Sequence, residues 1–168
     1  SEDFCTDALC NIALRTTAPG GGGGGRATVL DALVAALPAD VHGGSACGAG
    51  LCKVACRVFD QIAMGGGCDD LFERGAVGAA LAALRAHIGR RDGVCAWACF
   101  ALRNAASSAQ QRVRLVDAGV VGALGAVIGA DGADAVVARE ALQRIQRPQG
   151  ATLHLLAQPS AELAARLA

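Results

Sequence analysis

The chain has 168 residues, equal numbers of acidic and basic side chains, and a hydrophobic fraction of 53% with only 3% aromatics. Zero net charge excludes a protein that binds nucleic acid or anionic membrane through bulk charge, and the absence of tyrosine argues against a base-stacking platform. The longest apolar run, Ala118 to Ala130, is interrupted by glycines and ends at Asp131, well short of the ~18 residues that a membrane span needs.

Residues 3–14 read as the end of a helix whose earlier partners are missing. Gly20 to Gly25 reads as a flexible insertion in place of a short helix. Leu30, Leu33, Val34 and Leu37 then form one apolar stripe at helical spacing. His42 to Gly50 reads as a second loose loop, followed by a helix over about Leu51 to Met64. Asp69 to Arg74 is a short helix with Asp69-Asp70 at its N-terminus, where negative charge is favourable. Gly75 permits a sharp turn into a helix that carries Val77, Ala80, Leu81, Leu84 and Ile88 on one face. Gly89 to Gly93 breaks it, and Asp92 is placed to cap a third helix over Val94 to Ala106. That helix is apolar almost all round, which predicts burial between neighbours.

The same plan then repeats. Gln110 to Asp117, a turn at Gly119, a helix with Val121, Leu124, Gly125 and Ile128, a break at Gly129 to Gly132, and a helix over about Ala133 to Arg147 follow in order, with Pro148 as the stop. Residues 151–168, with Leu153, Leu155, Leu156 and then Pro159-Ser160, read as a further unit.

A short phrase marks each repeat: Ala8 to Ala13, Val58 to Ala63, Ala101 to Ala106 and Ala141 to Gln146, at offsets of 50, 43 and 40 residues. The stripe Leu30, Leu33, Val34 and Leu37 precedes Val77, Ala80, Leu81 and Leu84 by a constant 47. Ala55, Cys56, Phe59 and Ala63 precede Ala98, Cys99, Leu102 and Ala106 by a constant 43. We therefore read residues 1–168 as a single array, divided into 3–14, 26–68, 69–109, 110–148 and 151–168. The ends cut through repeats without obvious polar caps and there is no initiator Met, so a longer array is expected.

This pattern resembles armadillo repeats across roughly residues 3–147. The resemblance rests on the glycine turns Arg74-Gly75-Ala76-Val77 and Ala118-Gly119-Val120-Val121, and on the phrase Ala98-x-x-Ala101-Leu102-x-Asn104-x-Ala106. A period of about 40–47 residues lies in the armadillo/HEAT range. It implies an all-α fold, a right-handed α-solenoid of armadillo-like three-helix repeats, whose third helices line a concave groove. The asparagine of the phrase commonly faces that groove and holds the backbone of an extended peptide. Carried over, this role falls on Asn104 and Asn11, with Gln61 as an amide substitute and Arg144 as a departure. An amide offers both a donor and an acceptor, so it can satisfy a backbone regardless of side-chain sequence. The alternative is an Asn that bonds only its own helix end or the neighbouring repeat.

Phe100 and Arg103 would supply selectivity, while Trp97 and Phe100 form either one hydrophobic anchor or core packing. Lys53, Arg57, Arg103 and Arg144 share the expected groove with Asp60 and Glu140, a mixed row that tilts the ligand away from strongly basic peptides. Importin-α type proteins place tryptophan four residues before the asparagine; here Asp7, Arg57, Phe100 and Glu140 stand there, which counts against a nuclear import adaptor.

Other constellations give less. Cys52/Cys56 and Cys95/Cys99 stand four apart on third helices, yet His42, His87 and His154 complete no zinc pattern, and a thiol is also a small buried hydrophobe. Gly20 to Gly25 with Arg26-Ala27-Thr28 lacks the Lys-Ser/Thr of a phosphate-binding loop. No nucleophile elbow, HExxH motif or paired carboxylates occur. We read a non-catalytic scaffold or adaptor with no cofactor and no metal site, holding an extended protein or peptide segment; no nucleic-acid partner and no membrane span are expected. A structural spacer or regulatory arm is the main rival, and a thiol-metal protein a distant one. Eight cysteines beside a sizeable core predict reduced thiols in the cytoplasm or nucleus, and Ser1 to Cys5 has no signal-peptide character.

Overall fold

A computed structural model describes residues 24–41 and 46–147, in which every regular element is a helix. There are eight helices among the described residues: α1 (Gly24–Val41), α2 (Ala46–Met64), α3 (Cys68–Glu73), α4 (Ala76–Ala86), α5 (Val94–Ala105), α6 (Ala109–Asp117), α7 (Val120–Gly129) and α8 (Ala135–Gln146). Residues 3–14, Asn11 among them, and 151–168 lie outside the described residues, as do Gly20 to Gly23 and Pro148.

Two expectations need correction. The stretch from His42 to Gly50 is not wholly a loop, because α2 already begins at Ala46. Its first turn includes Gly48 and is followed by Gly50, and Ala49 packs against the core; that burial offsets the ~1 kcal/mol by which each helical glycine is disfavoured. Gly24 and Gly25, read as part of an insertion, open α1.

Local signals place the other boundaries where the sequence has them. Asp69 and Asp70 occupy the first turn of α3. Gly75 and Gly119 adopt left-handed φ of 76° and 82° immediately before α4 and α7, a conformation that costs a residue with a Cβ about 1–2 kcal/mol. Asp92 Oδ1 accepts from the Val94 backbone N–H at 3.1 Å, so it does cap the start of α5. At α6, Ser108 and Gln111 form a capping box in which each side chain accepts from the other's backbone N–H. Gln111 Nε2 also donates to Asp69 Oδ1 at 3.0 Å, tying α6 to α3.

The helices pack in two rows. α2 lies against α5 and α5 against α8, while α1 lies against α4 and α4 against α7. Within each pair α1 covers α2, α4 covers α5 and α7 covers α8. The core between the rows is built from the residues aligned at offset 43: Ala55, Cys56, Phe59, Ala63, Ala98, Cys99, Leu102 and Ala106 are all buried. Fully burying a side chain such as Phe59, Leu84, Leu102 or Leu124 stabilises by about 1.5–3 kcal/mol each. Small residues at Ala55, Ala98 and Ala138, none of them more than 0% exposed, let α2, α5 and α8 approach closely. That close approach leaves their remaining faces as one continuous surface.

Candidate functional site: the exposed face of helices α2, α5 and α8

Helix α5 sits in the middle of its row, and its apolar residues are consumed by contacts on three sides. Cys95, Ala98, Cys99, Ala101, Leu102 and Ala105 are buried. Trp97, Phe100, Arg103 and Asn104 are left half-buried on the fourth side, spaced three, three and one apart, which sets them on one helical stripe.

These side chains connect across the row. Trp97 and Phe100 meet edge to face, with ring centroids 5.6 Å apart and planes at 63°, a favoured aromatic geometry. The Arg57 guanidinium of α2 lies over the Trp97 ring at 5.1 Å, and Arg103 lies over Phe100 at 5.0 Å. Arg103 Nη1 also donates to Glu140 Oε2 of α8 at 2.9 Å. The result is a line of five side chains, Arg57–Trp97–Phe100–Arg103–Glu140, running over three helices. Trp97 packs against the core beneath and is only partly buried.

Asn104 Nδ2 donates to Asp60 Oδ1 at 2.7 Å. Asp60 is only 5% exposed, and burial raises its pKa above 3.8, against the opposing pull of the Asn104 bond, the Arg103 charge and Gln61. Gln61 itself is exposed, and its Nε2 approaches Met64 Sδ at 4.0 Å. Arg144 Nε donates to the Ala106 carbonyl at 3.4 Å, fastening α8 to the end of α5. Between these two helices lies an open hollow of about 490 Å³ lined by Arg103, Asn104, Glu140, Gln143, Arg144, Gln146 and Arg147.

Of the residues singled out in the sequence, Arg57, Trp97, Phe100, Arg103, Asn104 and Arg144 thus fall on one face, and Gln61 joins them through Asp60. Gln143, Gln146 and Arg147 were missed. Their signal was available, because Gln143 and Arg147 follow Glu140 at helical spacings of three and seven.

A second hollow of about 590 Å³ opens between the Gly89–Gly93 and Ala130–Asp134 turns, lined in part by Arg90, Arg91, Cys95 and Asp134. Beside it the buried His87 Nδ1 and Asp92 Oδ2 lie 2.6 Å apart. Asp134 has its pKa raised by burial and then by the charge of Asp92. Since Asp92 also caps α5, this His–Asp pair is committed to holding the turn.

Cys52, Cys56, Cys68, Cys95 and Cys99 are buried. Burial, reinforced by nearby charge, pushes Cys95 and Cys99 up to about 12, and raises Cys56 through burial and its cysteine neighbours. Cys95 Sγ donates to the Leu84 carbonyl at 3.6 Å and Cys68 Sγ to that of Ala63 at 3.5 Å. Among the described residues no group of three or more His, Cys, Asp or Glu side chains is placed to hold a metal, and no helix is long and apolar enough to cross a membrane.

Comparison with protein-family models, with curated proteins and with solved structures returns no match for this chain.

Proposed function

We propose that the chain is a non-catalytic binding scaffold, built as an armadillo-like right-handed α-solenoid that holds an extended segment of a partner protein along α2, α5 and α8. The observation that carries this reading is the line Arg57–Trp97–Phe100–Arg103–Glu140 beside an open polar hollow. Aromatic and arginine side chains held in place by one another lose little entropy on binding, which is the character of interface anchors. In this reading Phe100 and Trp97 are the apolar anchor and Arg103 and Arg144 the polar contacts. Asn104 gives one of its two amide N–H groups to Asp60, and its Oδ1 would hold a backbone N–H of the ligand. Asn11 and Gln61 would extend the row. Buried thiols such as Cys56, Cys68, Cys95 and Cys99 favour a reducing compartment, the cytoplasm or nucleus.

One observation favours the rival reading, a structural spacer or regulatory arm: the Asn104–Asp60 and Arg103–Glu140 bonds both tie neighbouring helices to each other. A displayed library of random peptides separates the two. Wild-type protein that selects peptides, with binding lost in a folded Phe100→Ala/Asn104→Ala variant, supports the scaffold. A library that yields no binder at this face gives the spacer reading precedence.

A further inference from the structure

Although the whole chain is neutral, with fifteen basic and fifteen acidic residues, charge is not evenly spread. Helices α2, α5 and α8 carry five cations, Lys53, Arg57, Arg103, Arg139 and Arg144, against two carboxylates, Asp60 and Glu140. Helix α8 is flanked by the acidic Asp134 at its N-terminus and the basic Arg147 at its C-terminus, beside the hollow. The acidic residues cluster elsewhere, as with Asp69, Asp70 and Glu73 of α3.

The two carboxylates on the row do not neutralise it. Asp60 is buried and engaged by Asn104, so it projects little charge outward. Glu140 is held by Arg103. The hollow between α5 and α8 therefore has three guanidinium groups, Arg103, Arg144 and Arg147, against one carboxylate that is already paired. Among the described residues Arg144 spends only its Nε, on the Ala106 carbonyl, and a guanidinium has five donors in a planar fork that suits carboxylates. Arg57 and Arg103 are held over aromatic rings, which orients their charge beside an apolar patch.

Resting on the scaffold reading above, we infer that the segment held by this face is an acidic stretch of protein carrying an apolar residue. Its carboxylates sit against Arg103, Arg144 and Arg147, and its apolar side chain against Trp97 and Phe100. A basic segment is opposed by the excess positive charge, and a neutral one leaves Arg144 and Arg147 without a carboxylate partner among the described residues.

Trp97 is the only tryptophan of the chain, and it lies within this face, so its fluorescence reads binding directly. The probes are synthetic peptides of Glu and Ser around one Leu, the Lys and all-Ser analogues of the same peptide, and a poly-dT oligonucleotide. The acidic peptide is expected to change the Trp97 signal saturably, with affinity that falls as salt rises. Reversal at Arg144→Glu or Arg147→Glu is expected to weaken it about tenfold, with the helical circular dichroism of each variant preserved. Two different exposed positions guard against one variant misfolding. Equal or tighter binding of the Lys or all-Ser peptide, or no loss in either charge reversal, overturns the acidic assignment while leaving the scaffold standing. Poly-dT binding as tightly as the acidic peptide overturns the assignment to protein. No response to any probe, together with an empty peptide selection, overturns both readings.

Discussion

Asn104 and Asp60, 44 residues apart in the chain, share a 2.7 Å hydrogen bond that joins the C-terminal ends of the adjacent helices α5 and α2. Both belong to the recurring phrase, where Asp60 immediately precedes the amide Gln61 and Asn104 is the amide itself. The bond gives a buried carboxylate a partner, and it directs the asparagine along the row of helices. One residue therefore serves the packing of the array and borders the hollow beside it.

The titration of Asp60 follows from its burial. Its pKa in the folded state lies above the ordinary 3.8, so the folded protein binds that proton more tightly than the unfolded chain does. Between the two values the folded state carries more protons, and this contribution to stability declines as pH rises through the window. At neutral pH the charged carboxylate is thus a net cost. Asp60→Asn keeps an oxygen that accepts from Asn104 and removes the charge. Its melting temperature at pH 7 is expected to equal or exceed that of wild type, and the gap to close as pH falls towards 4. Thermal melts followed by circular dichroism check this; a variant less stable at pH 7 would mean that attraction to Arg103 outweighs burial. Asp60→Ala, which leaves the amide of Asn104 without its acceptor, is expected to cost about 1–3 kcal/mol.

Glycine substitutions are expected to split by sign. Gly75→Ala and Gly119→Ala force a Cβ into left-handed backbone and should destabilise by about 1–2 kcal/mol each. Gly78 and Gly122 lie inside α4 and α7, where an added Cβ meets nothing within 4 Å. Alanine there should stabilise by about 0.5–1 kcal/mol, because glycine loses more freedom on folding. Urea unfolding of the four variants measures both groups.

The two phenylalanines Phe59 and Phe100 test core against surface. Phe59 is 1% exposed, and Phe59→Ala should cost about 3–5 kcal/mol. Phe100 touches Trp97 and Arg103 at the surface, and Phe100→Ala should cost only about 1 kcal/mol or less. Chemical denaturation of each variant gives the comparison, and a severe loss at Phe100 would assign that ring to the core.

The thiols should be inert while the protein is folded. With Cys95 and Cys99 pushed up to about 12 by burial, only about 10⁻⁴ of each is thiolate at pH 8. Iodoacetamide followed by peptide mass spectrometry should leave Cys52, Cys56, Cys68, Cys95 and Cys99 unmodified in native protein and alkylate all five in denaturant. Rapid native labelling at Cys95 would show that the hollow beside it opens in solution.

Much of this arrangement was legible in the residues. The apolar residues at offset 43 and Leu30, Leu37, Val77, Ala80, Leu81 and Leu84 are buried as the spacing implied, whereas Leu33 and Val34 are only partly buried. Gly75, Gly119 and Asp92 located turns and a cap through local backbone chemistry alone. The start of α2 was not legible, since Ala46 to Gly50 has the composition of a loop and is held helical by packing against the core. The amides of α8, Gln143 and Gln146, were passed over because they lie outside the recurring asparagine position.

The chain by itself determined that this protein is helical, where most helices begin and end, and many of the buried side chains, because periodicity and glycine placement act within one or two turns. On α7 the structure buries Val120, Ala123, Leu124 and Val127 and leaves Val121, Gly125 and Ile128 half-buried or exposed, a helix rotation set by the neighbouring helices. Only the tertiary structure decided what the exposed polar residues do. That Asn104 bonds Asp60, that Arg57 covers Trp97 and that Arg103 reaches Glu140 depends on how adjacent helices are set against each other. Such pairings span tens of residues, and they are fixed by the volumes of the alanines and cysteines packed between the helices, which no local pattern encodes.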